Sequence, residues 1–135
     1  MLANLHITGD VNVNSTHITK LSENLRVDGS LNQSYLKIKK LSKDIQVRDS
    51  LKLWYSEIKK LPNNLNVNGE LDLAETKIKK LPKNLHIGGD LDSHNTKIKR
   101  ITNNLNVNGT LDFYRTKIKK FPKFICKRAI IYQEY

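Results

Sequence analysis

Five carboxylates occur at two positions, two residues apart, of a regular pattern in this sequence. They are Glu70 and Asp90 and, at the second position, Asp72, Asp92 and Asp112. Side chains two residues apart on a β-strand point to the same side, so we expect these five to form one acidic stripe. Close carboxylates can hold a divalent cation or hydrolyse a glycosidic bond. A cation site at Asp72, Asp92 and Asp112, or carbohydrate chemistry there, is therefore one hypothesis.

The sequence offers little else for catalysis. His94 lies two residues from Asp92, but no serine or cysteine nucleophile recurs near it. Cys126 is the single cysteine, so neither an intrachain disulfide nor a CxxC metal site can form, and a reducing compartment is indicated. We therefore expect a protein without enzymatic activity or cofactor, in which the acidic stripe is solvated surface.

The acidic stripe arises because a twenty-residue unit repeats six times from Met1. Residues 61–80 read LPNNLNVNGELDLAETKIKK, and residues 81–100 read LPKNLHIGGDLDSHNTKIKR. Position n of the repeat denotes residue n and its equivalents at intervals of twenty. A fixed period of this length predicts a solenoid in which equivalent positions stack, and positions 1, 5, 7, 11 and 18, apolar in all six units, are the expected interior.

The fold class follows from the spacing of the apolar residues within one unit. Alternation at positions 5 and 7, and again at 11 and 13, predicts two short strands per coil. No segment has the periodicity of a helix. The sequence therefore predicts a mainly β, single-domain solenoid of six coils over residues 1–120, with little or no helix, followed by a C-terminal cap over residues 121–135.

Glycine at position 9 separates the two expected strands. It is present as Gly9, Gly29, Gly69, Gly89 and Gly109. A tight corner with positive φ favours glycine, and Asp49, which replaces it in the third coil, tolerates that conformation better than most residues.

One stretch of the unit has a familiar form. LDLAETKIKKLP, from Leu71 to Pro82, resembles the leucine-rich repeat, and it is most similar to the short bacterial type with twenty-residue units. The resemblance covers residues 1–122. It implies a strand at positions 10–14 on a face that this family commonly uses to bind proteins. The inward asparagine of that family is replaced by threonine in four units, and by Leu36 and Ser56 in the others.

Positions 17, 19 and 20 are strongly basic and account for more than half of the 24 lysines and arginines, which give a net charge of +11. The basic side chains at positions 19 and 20 of coils 2–6 are the candidate polyanion-binding residues, called here the lysine ridge: Lys39, Lys59, Lys79, Lys99, Lys119, Lys40, Lys60, Lys80, Arg100 and Lys120. Such a charge favours acidic partners, and binding of nucleic acid through the lysine ridge is a second hypothesis. The competing interpretation is a solvated edge, because arginines and aromatic residues are scarce there.

The irregular positions are 14 and 15, where aromatic residues concentrate. The candidate protein-binding residues are Tyr35, Trp54, Tyr55, His94, Tyr114 and Arg115. Tryptophan and tyrosine dominate interface hot spots because they bury much area with few rotatable bonds. The competing interpretation is that these rings cover the sheet of their own chain.

The leading hypothesis is a non-enzymatic module that docks a protein partner with an acidic surface. A compact binder of this kind suits a phage or bacterial factor that inhibits a host complex. The start of the chain does not resemble a signal peptide, and no apolar stretch is long enough to span a bilayer, so a cytoplasmic location is expected, without a membrane partner. A monomer or a weak homo-oligomer is expected.

Overall fold

The structure, a computed structural model, describes residues 4–102 and 104–126. These residues form a β-solenoid of stacked coils, each with two strands of two residues. The strands are β1 His6–Ile7, β2 Val11–Asn12, β3 Arg26–Val27, β4 Leu31–Asn32, β5 Gln46–Val47, β6 Leu51–Lys52, β7 Asn66–Val67, β8 Leu71–Asp72, β9 His86–Ile87, β10 Leu91–Asp92, β11 Asn106–Val107 and β12 Leu111–Asp112. The mainly β solenoid with twenty-residue coils is therefore confirmed.

The strands form two parallel sheets along the solenoid. The odd-numbered strands make the first sheet and the even-numbered strands the second. Each residue pairs with its equivalent in the next coil, as Leu71 does with Leu91 and Asp72 with Asp92. Because strand spacing is about 4.8 Å, equivalent side chains stack at that distance along the axis.

The predicted interior is confirmed for the described coils. In coils 3–6 positions 1, 5, 7, 11 and 18 are all buried, whereas in the first two coils Leu5, Val11 and Leu21 are partly buried against the same core. Met1 lies outside the described residues. Positions 13 and 16 complete the interior, and Phe113 at position 13 is fully buried.

The structure contradicts the positive φ expected for glycine at position 9. None of the described glycines has positive φ, and neither does Asp49. The reason for glycine is instead the close approach of adjacent coils. A Cβ atom on Gly29, Gly89 or Gly109 would lie 2.9, 3.0 or 2.6 Å from the carbonyl carbon of the glycine twenty residues earlier. In these coils the backbone of the preceding coil leaves no room for a side chain, whereas coil 3 carries Asp49 at the same position.

After the sixth coil, a short helix, α1, spans Lys123–Cys126. The predicted cap covers residues 121–135, and its part beyond Cys126 lies outside the described residues. Within the described ranges, no helix has the length and apolar character needed to cross a membrane.

Candidate protein-binding face

A tight turn at positions 13–16 follows each strand of the second sheet. In coils 3 and 4 the N–H groups of Ser56 and Thr76 donate to the carbonyls of Leu53 and Leu73, at 3.0 and 3.2 Å. The third residue of the turn has positive φ, with 58° at Tyr55. A four-residue turn in which only the third residue has positive φ is typical of type II, and that third position favours glycine or asparagine. Positions 14 and 15 are thus the tip of each turn.

Two kinds of side chain hold these turns in place. At position 12, a carboxylate or amide oxygen accepts from the N–H at position 14, as Asp72 does from Ala74 at 3.0 Å. At position 16, the threonine hydroxyl donates to the carbonyl at position 13, as Thr76 does to Leu73 at 2.6 Å. The inward threonines therefore close the turn within their own coil, and part of the acidic stripe has a structural task.

Three aromatic side chains pack on one another at the tips of coils 2 and 3. Tyr35, Trp54 and Tyr55 form this aromatic trio, in which the ring centroid of Tyr35 lies 4.9 Å from that of Trp54 and 5.5 Å from that of Tyr55. The two turns are also joined, because the N–H of Tyr35 donates to the carbonyl of Trp54 at 2.9 Å. The three residues remain 44%, 39% and 57% exposed. They form a pre-assembled apolar surface in contact with solvent.

Two members of the aromatic trio occupy strained backbone. Tyr35 and Tyr55 have φ values of 62° and 58°, in the left-handed region. For a residue with a bulky side chain, this conformation costs roughly 1–2 kcal/mol. The same position has positive φ in all the other coils, where it holds Ser15, Glu75, Asn95 and Arg115. Asparagine tolerates the conformation better than the others. The strained backbone is therefore a property of the turn, and in coils 2 and 3 the chain places tyrosine in it.

The other predicted members of this face form separate groups. His94 contacts the acidic residues of coils 4 and 5, with its Nδ1 atom 2.7 Å from Asp92 and its Nε2 atom 3.8 Å from Glu75. In coil 6, the guanidinium carbon of Arg115 lies 5.2 Å from the ring centroid of Tyr114. Buried Ala74 occupies position 14 between Trp54 and His94. The aromatic trio is thus the contiguous part of the predicted set.

The acidic stripe has structural hydrogen bonds of its own. Asp90 accepts from the N–H of Thr110 at 2.8 Å, and Asp92 accepts from the N–H of His94 at 3.1 Å. Among the described residues, one compact set could supply metal ligands: Asp92, His94 and Asp112, whose ligand atoms all lie within 4.8 Å of one another. Asp72, one of the three predicted cation ligands, does not belong to this set.

Ionisation in the acidic stripe is altered by burial and by neighbouring charge. The pKa of Asp72 is raised to about 6, chiefly by burial. The hydrogen bond from the Ala74 N–H lowers this pKa, whereas the charges of Asp92 and Glu70 raise it. Burial works to lower the pKa of His94, but the hydrogen bond and charge of Asp92 outweigh it, so that this pKa is raised. Because both pKa values are raised in the folded state, protonation of Asp72 and His94 stabilises the fold as the pH is lowered.

The lysine ridge lies at a different edge of the coil. Its side chains are exposed, and backbone pairing continues beneath them, with an isolated parallel bridge between Lys40 and Lys60. Among the described residues, no lysine forms an ion pair with a carboxylate. The ridge consequently presents uncompensated positive charge.

Sequence reasoning missed one feature of each edge. The positive φ at position 15 was hidden because tyrosine, glutamate and arginine occupy it, although Asn95 was a signal. The second feature is a groove beside the first half of the ridge, lined by residues from Thr19 to Pro62.

Comparison with family models, with curated proteins and with solved structures gave no match for this chain.

Proposed function

We propose that this protein is a non-enzymatic binding module that docks a protein partner through the aromatic trio. The observation that carries the proposal is three mutually packed rings that remain exposed at the tips of two adjacent turns. Packing restricts their motion before binding, so a partner would lose little entropy in ordering them. Interface hot spots are enriched in these residue types for the same reason.

The turn geometry supports the same proposal. Position 15 has positive φ in every coil, so the turn itself imposes the conformation, and the side chain there stands at the turn tip. Coils 2 and 3 place tyrosine at this tip, where asparagine in coil 5 shows that a small polar residue is accepted. His94, Tyr114 and Arg115 would extend the contact along the axis for a partner large enough to span coils 2–6.

The relationship to leucine-rich repeats is also a proposal. It is supported by the twenty-residue period, by the Leu-Pro pair at Leu61 and Leu81, and by parallel pairing at positions 11 and 12. The threonine bonds at position 16 would then replace the inward asparagines of that family.

The double variant Trp54→Ala with Tyr55→Asn tests the docking proposal. Both new residues already occupy these positions in other coils, as Ala74 and Asn95, so the fold should persist. We expect affinity for the captured partner to fall at least about tenfold, because hot-spot aromatics contribute most of the binding energy. Affinity capture from a nuclease-treated lysate of the native source identifies the partner, and titration with that purified partner measures the loss.

Phe124→Ala is the control, since Phe124 is 41% exposed and lies in α1, after the sixth coil. It removes an exposed aromatic ring from another part of the chain and should leave the affinity unchanged. Trp54 is the only tryptophan, so its emission should also shift to shorter wavelength when the partner covers it. Equal affinities of the double variant and the unmodified protein would refute the proposal.

A further inference from the structure

The lysine ridge borders a groove along coils 1–4. This basic groove has a volume of about 740 Å³ and lies between positions 17–20 of one coil and positions 1–3 of the next. Leu21, Leu41 and Leu61 contribute to its lining. Its volume falls within the range of about 300–1,000 Å³ that is typical of ligand pockets. The groove therefore combines a concave shape with apolar surface at its base.

The charge of the basic groove is almost entirely positive. Its lining includes the six lysines Lys20, Lys37, Lys39, Lys40, Lys43 and Lys60. Glu23 is the one carboxylate in the lining, and within the described part of the chain none of these lysines is paired with a carboxylate. Equivalent lysines stack at about 4.8 Å, so their repulsion is incompletely screened by salt and an incoming anion would relieve it.

We propose that the basic groove binds an acidic, extended protein segment that carries an apolar side chain. Carboxylates would face the lysines while the apolar side chain contacts Leu21, the partly exposed leucine of the lining, and the methylene stems of the lysines. Nucleic acid suits the groove less well, because its lining contains neither arginine for paired phosphate contacts nor an aromatic ring for base stacking. Lys20 and Lys60 are two coils apart, a distance of about 10 Å that about three extended residues would span. The proposal does not depend on the aromatic trio.

The probe is a fluorescently labelled peptide of about eight residues in which glutamate and leucine alternate, which is long enough to cross the groove. Binding is followed by fluorescence anisotropy. In the groove variant, Lys39, Lys40 and Lys60 are changed to glutamate. The control variant carries Lys99→Glu, Lys119→Glu and Lys120→Glu, at the same two repeat positions outside the groove lining. Both variants change the net charge equally.

We expect the groove variant to lose at least about tenfold in peptide affinity and the control variant less than about threefold, because only direct contacts distinguish equal changes of net charge. Equal losses in both variants would show that the peptide responds to the overall positive charge and not to the groove, which would overturn the proposal. So would equal binding of a peptide in which serine replaces leucine, or tighter binding of a single-stranded oligonucleotide of the same charge. Lysine-to-glutamine changes at the same positions repeat the comparison if charge reversal unfolds the chain.

Discussion

Asp72→Asn should stabilise the folded protein at pH 8 and change its stability little at pH 4. The pKa of Asp72 is raised from 3.8 to about 6 in the folded state, chiefly by burial. The folded chain therefore binds more protons than the unfolded chain between these values, and the free energy of unfolding falls as the pH rises through that window. Asparagine has no charge to bury, so the variant avoids this decrease in the free energy of unfolding.

The size of the effect follows from the shift. The full difference from 3.8 to about 6 corresponds to about 3 kcal/mol, which partial solvent exposure of the carboxylate reduces to about 1–2 kcal/mol at pH 8. At pH 4 the expected difference is about 0.5 kcal/mol or less. Urea unfolding at the two pH values measures both.

Asparagine is also structurally suited to this position. Asn32 occupies position 12 in coil 2 and accepts from the N–H of Ser34 at 3.0 Å, as Asp72 does from Ala74. Asp72→Ala is the informative comparison, because it removes the same charge but also the hydrogen bond, and it should gain less. A stability difference between Asp72→Asn and the unmodified protein that does not change with pH would contradict this account.

Phe113→Ala should destabilise the sixth coil by about 3–5 kcal/mol, the usual cost of deleting a buried phenylalanine ring. Phe113 is completely buried, and its ring centroid lies 5.7 Å from that of Phe121, the residue that opens the next turn of the chain. Its neighbour at position 13 in coil 5 is Ser93, whose small side chain cannot fill the space.

The control for this prediction is Phe113→Leu. Leu53 and Leu73 occupy the same position in coils 3 and 4, so the loss should be at most about 1.5 kcal/mol. Because each coil contacts only its neighbours, we expect the sixth coil of the alanine variant to unfold before the rest. Hydrogen exchange of the amides of Asn106, Asn108 and Gly109, which donate to carbonyls of coil 5, measures this. Similar losses for the alanine and leucine variants would show that the ring is not a major source of stability.

The sequence predicted the interior because its evidence is local. Positions such as 11 and 18 are apolar in every unit, and Leu71, Ile78 and Leu91 are buried as expected. The prediction of positive φ at the glycines was wrong because the reason for glycine there is not local. What excludes a side chain at Gly109 is the backbone of Gly89, twenty residues away, rather than the φ of Gly109 itself.

The candidate face was predicted in part. The aromatic content of positions 14 and 15 was visible in the sequence, and the structure places Tyr35, Trp54 and Tyr55 in contact with one another. That His94 instead contacts Asp92 and Glu75 depends on side-chain direction at the turn tip, which the repeat alone does not specify. The basic groove requires the relative placement of positions 17–20 and 1–3 across a corner, which periodicity does not supply.

Backbone pairing between coils has a consequence for how the surface is organised. The N–H at position 15 of one coil donates to the carbonyl at position 14 of the next, as Tyr35 does to Trp54 and Tyr55 to Ala74. These bonds do not depend on the side chain, since tyrosine, glutamate and asparagine all make them at position 15. The distance between two side chains at the turn tips is therefore set in steps of about 4.8 Å by the number of coils between them.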